Sequence, residues 1–255
     1  MVSAAWQALD DEIARWRDAG RTVDFWWRDD DATQWTPALA RLIELARSTG
    51  VPLALAVVPQ TADAGLFARL EGRVQVLQHG VDHRNRAPAG ERKTEFAAEA
   101  AVEDAIARIV AGRERLCALA GARTLAVLAP PWNRLPDALA AQLPAAGVIG
   151  LSRFGARAQA YPAPGLHQVN AHVDLIDWRG SRGFVGAAVA LDQAVRHLAA
   201  RRTRCADAGE PTGWLTHHLH HDAAAWRFLD TLLERTRANP ALRWIDSQAL
   251  FRSDA

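Results

Sequence analysis

Residues 23–32 read Val23-Asp24-Phe25-Trp26-Trp27-Arg28-Asp29-Asp30-Asp31-Ala32, and most of the chain can be understood from them. The first half is short, aromatic and apolar, which is the composition of a β-strand. The second half places three carboxylates side by side. Adjacent like charges repel, and each resists losing water unless a cation or a proton compensates. In a solvated loop, or at a helix N-cap, such a triplet is unremarked. At the end of a strongly apolar strand it fits a held metal ion instead, with one carboxylate ligating and a neighbour serving as base.

On either side of this stretch, strands and helices alternate. Upstream, Trp6, Leu9, Ile13 and Trp16 share one face of a helix that Gly20 ends. Downstream, Thr36-Pro37 supplies an N-cap and a first-turn proline for a helix carrying Leu39, Leu42, Ile43 and Ala46, closed by Gly50. The nearly continuous apolar run Val51 to Val58 suits a strand covered on both faces. A short helix around Leu66 to Leu70, a strand Val74 to Gln78, a long helix from about Thr94 to Leu119 and a strand Leu125 to Leu128 follow. Pro136 opens another helix, and strands are expected at Val148 to Leu151, Gln168 to Val173, Gly213 to Thr216 and Leu242 to Ile245. Helices at about Ala187 to Arg202 and Ala223 to Thr236 complete the pattern. Such alternation implies a parallel sheet, and seven or eight units imply a barrel. An open doubly wound sheet is the rival, but no Gly-rich dinucleotide fingerprint follows the first strand.

The polar clusters fall where strands end: Arg28 to Asp31, His79 to His83, Pro130 to Arg134, Asp174 to Trp178, and His217-His218. In a parallel barrel all these ends open on one rim, where active sites are assembled. His79 and His83 are four residues apart, a spacing that aligns two imidazoles toward one ion on a helix but is also common among surface histidines. Two histidines and a carboxylate leave positions on Zn²⁺ or a similar ion open for water and substrate. His217 belongs to a run that holds four of the nine histidines. Fixed after a strand, it is a candidate general acid, with Asp177 as the carboxylate that orients it.

Composition narrows the partners. The chain has 255 residues, 49% hydrophobic and 23% charged, with a net charge of +1 and no long run of one sign. This is ordinary globular composition, and it carries no electrostatic footprint for nucleic acid. Asp10, Asp11 and Glu12 stand where a signal peptide needs an apolar core, and no stretch is apolar enough for membrane insertion, so a cytoplasmic protein is expected. Cys117 and Cys205 are too few and too distant for a disulfide framework.

The order of the motifs resembles that of the polysaccharide deacetylases, carbohydrate esterase family four. Arg28-Asp29-Asp30-Asp31-Ala32 is similar to the family's T-F-D-D-G, His79-Gly80-Val81-Asp82-His83 to H-[ST]-x-x-H, and Ala129-Pro130-Pro131-Trp132 to R-x-P-[YF]. Asp174-Leu175-Ile176-Asp177-Trp178 matches D-x-x-D-W, and Leu215-Thr216-His217 matches L-x-H. The resemblance implies a distorted parallel (β/α) barrel of seven or eight strands, forming one domain over 1–255 with 1–20 as an N-terminal helix. It also implies a metal-dependent hydrolase that removes an acetyl group from an N-acetylated sugar or related carbohydrate. By position, Asp30 is the implied base, Asp31, His79 and His83 the ligands of one divalent cation, zinc first among them, and His217 the acid tuned by Asp177. Trp132, Arg134 and Trp178 are the implied substrate-binding residues.

Asp29-Asp30 is the alternative register of the first motif, and Ala32 in the small-residue place favours the later pair. Gly80 replaces the usual hydroxyl residue, and Ala129 stands where the family has arginine, with Arg28 or Arg134 as the candidate substitute. A non-catalytic carbohydrate-binding barrel, and a hydrolase of another C–N bond, are the other readings of the same residues.

Overall fold

The computed structural model describes residues 2–97 and 100–252. Helix α1 (Val2–Asp18) buries Trp6, Leu9, Ile13 and Trp16, as their spacing requires, and the Trp16 indole donates to the Leu198 carbonyl at 3.2 Å. Strand β1 (Val23–Ala32) then leads into α2 (Pro37–Thr49), whose N-cap is Thr36, with its side chain accepting from the Leu39 N–H, and whose C-cap is Gly50. Next come β2 (Leu53–Val57), the single turn α3 (Ala64–Phe67), β3 (Val74–His79), α4 (Val102–Ala120), β4 (Thr124–Ala129), α5 (Asp137–Gln142) and β5 (Gly150–Leu151). The chain continues through β6 (His167–Gln168), β7 (Val173–Asp174), α6 (Ala187–Arg202), β8 (Thr212–Thr216), α7 (Ala223–Thr236), β9 (Leu242–Trp244) and α8 (Ser247–Leu250).

Every strand pair is parallel, in the order β6-β5-β4-β3-β2-β1-β8-β7, with β9 added against the start of β1. The two ends of that order lie on one short stretch of chain. Residues 167–174 pair with β5 through β6 and with β8 through β7. Val169 N–H and Ala171 N–H donate to Leu151 and Arg153 on one flank, while His172 N–H donates to Gly213 on the other. One shared stave thus closes the sheet into the expected distorted barrel.

Side-chain alternation along β1 divides the molecule into an inside and an outside. Phe25 and Trp27 join the outer core between sheet and helices, with Leu39, Leu55 and Trp214. Trp26 points inward and packs with Ala54, Ala56, Leu77, Val127, Ala129 and Phe251. Small residues on β2 and β4 leave room for the one large indole, which donates to the Asn170 carbonyl at 3.0 Å. Gly213 is part of the same fit, because a Cβ there would sit 2.4 Å from the Trp26 nitrogen. Burying a side chain of this size contributes roughly 1.5–3 kcal/mol.

The long helix expected from Thr94 starts at Val102 instead. Of the missing part, Ala98 and Glu99 lie outside the described residues, while Thr94 to Ala97 are irregular. Glu95 is drawn away from any helix because its carboxylate accepts the backbone N–H groups of Val81, Asp82 and His83. Helix α8, which places Phe251 at the closed end of the barrel, was not expected. Among the described residues, no helix is long and apolar enough to cross a membrane.

Candidate metal centre and surrounding cavity

A cavity of about 960 Å³ opens at the C-terminal ends of the strands, and all nine residues singled out above line it: Asp30, Asp31, His79, His83, Trp132, Arg134, Asp177, Trp178 and His217. Asp30 and Asp31 are consecutive, so strand alternation alone would send them to opposite faces. The β1–β2 register shifts between Asp29 and Ala32, and Asp31 adopts φ 71°, which turns its side chain inward beside Asp30. A left-handed conformation at a non-glycine residue costs free energy and is characteristically retained at functional sites.

Asp31 Oδ1 lies 3.0 Å from His79 Nε2 and 3.2 Å from His83 Nε2. Burial pushes the Asp31 carboxyl up, but its contacts with the two imidazoles prevail and hold it far below the usual carboxylate range. His83 is raised against its own burial by the same carboxylate. The His79 Nδ1 proton is fixed on the Ala129 carbonyl at 2.9 Å, which leaves the Nε2 lone pair facing Asp31. His83, at φ 55°, packs against the Trp132 ring in a tilted arrangement, with ring centroids 4.5 Å apart. Two imidazole nitrogens and one carboxylate oxygen converging in this way form a donor set that could hold a metal ion. Asp31 Oδ1 is buried and has no well-aligned hydrogen-bond donor, as a ligating oxygen would be before its ion arrives.

Asp30 is gripped from behind. Arg28, wholly buried, donates from Nη2 to Asp30 Oδ2 at 2.9 Å and brings Nε within 2.8 Å of Oδ1 as an ion pair. The same guanidinium donates to Ser152 Oγ at 2.6 Å and to Asn133 Oδ1 at 2.7 Å. Of the two candidate substitutes for the missing arginine, Arg28 therefore holds the position. Arg134, on the cavity wall, donates to the Lys93 carbonyl at 2.7 Å instead of to Asp30. Asp29 is on the opposite side of β1, where Thr216 Oγ1 donates to it at 2.7 Å and His218 pairs with it. Asp29 therefore points away from the cavity that Asp30 and Asp31 line.

One expected partnership is not formed. His217 was paired with Asp177, but the carboxylate beside its Nδ1 is that of Asp174, at 3.6 Å. Asp177 accepts the backbone N–H groups of Arg179, Gly180 and Ser181 and so builds its own loop. Burial pushes the His217 imidazole down, yet Asp174, aided by Asp30 and Asp31, raises it to about 9. The Trp178 ring stands edge-on to His217 at 4.7 Å, and its indole donates to Asp174 at 2.8 Å.

Glu95, Asp174 and Ser152 were not foreseen as parts of the site. Glu95 explains Gly80: a Cβ at that position, itself at φ 57°, would lie 2.0 Å from Glu95 Oε2. The hydroxyl residue usual in the second motif has no room here. A second group, His172, His197 and Glu210, also converges but is wholly buried. His172 Nδ1 accepts the Gly213 N–H, so its proton sits on Nε2 and is directed at Glu210, 3.3 Å away. Around it, His197 Nδ1 lies 2.9 Å from Thr212 Oγ1, and Glu210 accepts the backbone N–H groups of Arg157 and Asn170.

No protein-family model and no curated protein matches the sequence. Solved structures do. The family 4 carbohydrate esterase from Streptomyces lividans, in complex with acetate, aligns with a TM-score of 0.54 at 15% identity, over 92% of this chain and 97% of that one. The Bc1960 peptidoglycan N-acetylglucosamine deacetylase aligns with a TM-score of 0.56 at 16% identity, over 91% and 89%. A family 4 acetyl xylan esterase from Clostridium thermocellum, in complex with a cobalt ion, aligns with a TM-score of 0.50 at 14% identity, over 89% and 90%. The chain therefore has the fold of the polysaccharide deacetylases.

Proposed function

We propose that the chain is a metal-dependent deacetylase acting on an N-acetylated sugar or related small carbohydrate. The observation that carries this reading is the convergence of Asp31, His79 and His83 next to a second carboxylate, Asp30, that is held by a buried arginine. A base beside a cation site is what hydrolysis of an unactivated amide requires. The fold shared with solved deacetylases and carbohydrate esterases supports the same reading.

A divalent cation held by Asp31, His79 and His83 would supply Lewis-acid polarisation of the acetyl carbonyl and a more acidic water; zinc suits the donors best. Asp30, steadied by Arg28, takes the proton of the attacking water. The Trp132 N–H has no protein partner among the described residues and is available to the developing oxyanion. His217, with Nδ1 turned to Asp174, gives the proton on Nε2 to the departing amine. Its raised affinity for protons keeps it charged at neutral pH. The rings of Trp132 and Trp178 offer apolar faces on which a sugar stacks, while Asp177 shapes the loop that carries Trp178.

Elemental analysis of the purified chain, followed by acetate release from a panel of N-acetylated sugars, tests the reading. One equivalent of a divalent metal and metal-dependent acetate release are expected. Full activity after exhaustive chelation would remove the metal from the chemistry, and metal content without acetate from any sugar would favour a binding barrel.

A further inference from the structure

The cavity wall carries five cations: Arg92, Lys93 and Arg134 beside Trp132, and Arg179 and Arg182 beside Trp178. Lys93 is the only lysine in the chain. Among the described residues, none of the five is paired with a carboxylate. Elsewhere on the surface arginines do find acids, as in Arg41–Asp230, Arg196–Asp192 and Arg235–Asp10.

The acids that share the cavity are already committed. Asp30 is held by Arg28, Asp31 by two imidazoles, Asp174 by His217 and the Trp178 indole, and Asp177 by three backbone N–H groups. Arg92 lies close enough to Arg134 to act with burial in lowering its proton affinity, so like charges have been brought together rather than dispersed. In a chain of net charge +1, this is a local concentration of positive charge at the mouth of one site.

We infer that the ligand of this cavity is a sugar bearing a phosphoryl or diphosphoryl group, which the unpaired arginines and lysine receive while the acetylated ring lies between Trp132 and Trp178. The inference rests on the deacetylase reading for the position of the acetyl group. A single carboxylate fills one guanidinium fork, whereas cations contributed by two loops match the several oxygens of a phosphate ester. A nucleoside diphosphate sugar and a lipid-linked sugar diphosphate present the same group.

The test is calorimetric titration of the zinc-loaded full chain with N-acetylglucosamine, its 1-phosphate, a uridine diphosphate conjugate, a polyprenyl diphosphate conjugate in detergent, and a glucuronate-bearing N-acetylated disaccharide. Phosphoryl ligands are expected to bind at least about tenfold more tightly than the free sugar, the increment of one or two charge-assisted hydrogen bonds. That ratio should shrink as salt is raised and fall in both Arg92→Ala/Lys93→Ala and Arg179→Ala/Arg182→Ala. The tighter of the nucleotide and polyprenyl arms identifies the source. Equal binding of neutral and phosphoryl sugars, stronger binding of the glucuronate, or a phosphoryl preference untouched in both double variants (phosphate seated on the zinc) would each overturn the inference. Acetate release is scored separately. Acetate without phosphoryl preference sinks this inference and leaves the deacetylase reading intact, while phosphoryl preference without acetate from any ligand does the reverse.

Discussion

Asp30 and Arg28 form a buried ion pair at the base of the cavity, and the two members fail differently when changed. Asp30→Asn keeps the shape and leaves Asp31 and the two histidines in place. Acetate release should fall about 10²- to 10⁴-fold, with metal content by elemental analysis unchanged; an undiminished rate would remove Asp30 as the base. Arg28→Ala strands a buried carboxylate and four further acceptors, Ser152 Oγ and O, Arg153 O and Asn133 Oδ1. Breaking such a pair costs about 3–5 kcal/mol, to be read in the midpoint of denaturant unfolding. Asp174 and Asp177 offer a second contrast. In the metal-free chain the His217 imidazole should titrate near about 9, move downward in Asp174→Asn and remain in place in Asp177→Asn, as followed by NMR.

The turn after β3 is an element whose geometry depends on one side chain from outside it. Glu95 binds three successive N–H groups there, and Arg108 steadies Glu95 from α4 at 3.2 Å. Glu95→Gln keeps the volume but replaces an acceptor oxygen by a donor, so the turn and His83 lose their register. Metal affinity, measured by competition with a chelating dye, should fall about 10- to 100-fold, the usual result of losing a group that orients a ligand. Gly80→Ser should be worse, because it collides with the same carboxylate.

These elements also show what the sequence could reveal. The strand was legible in its apolar half, but the choice between Asp29-Asp30 and Asp30-Asp31 rested on Ala32 alone; the structure adds that Trp26 and Arg28 point inward with Asp30, while Asp29 turns to Thr216 and His218. The inward turn of Asp31 was not legible, since it depends on a left-handed residue inside a strand. Glu95 gave no signal at all, standing in a polar loop whose role exists only after β3 and the loop meet. Asp174 and Asp177 belong to the same motif, and spacing alone could not say which of them lies beside His217. Strands and helices fared better, because burial of alternating or periodic apolar residues is a local property written in each segment.

The molecule as a whole should be sensitive to acid. Burial lowers the proton affinity of His172, takes His197 to about 2 and takes His221 to about 4, with neighbouring positive charge adding to the effect. In the unfolded chain these side chains titrate near their ordinary value of about 6.5. Between the folded and unfolded values the unfolded state binds more protons, so stability falls as pH drops below about 6.5 and continues falling toward 4. Urea midpoints measured from pH 7.5 to 4.5 should decrease through this window, and less steeply in His197→Gln. A flat profile would mean that these imidazoles are hydrated in solution.

The stave formed by residues 167–174 makes the lower half of the barrel a hoop with no seam, since both of its flanks are laced to neighbours and the Trp26 indole is tied to its middle. A hoop cannot gape by swinging one border aside without rupturing ladder bonds on two sides together. The width available to a ligand is then set by the side chains on the cavity wall, Arg92, Lys93, Trp132, Phe154, Trp178 and Arg182 among them, and anything too broad for them gains no help from breathing of the staves.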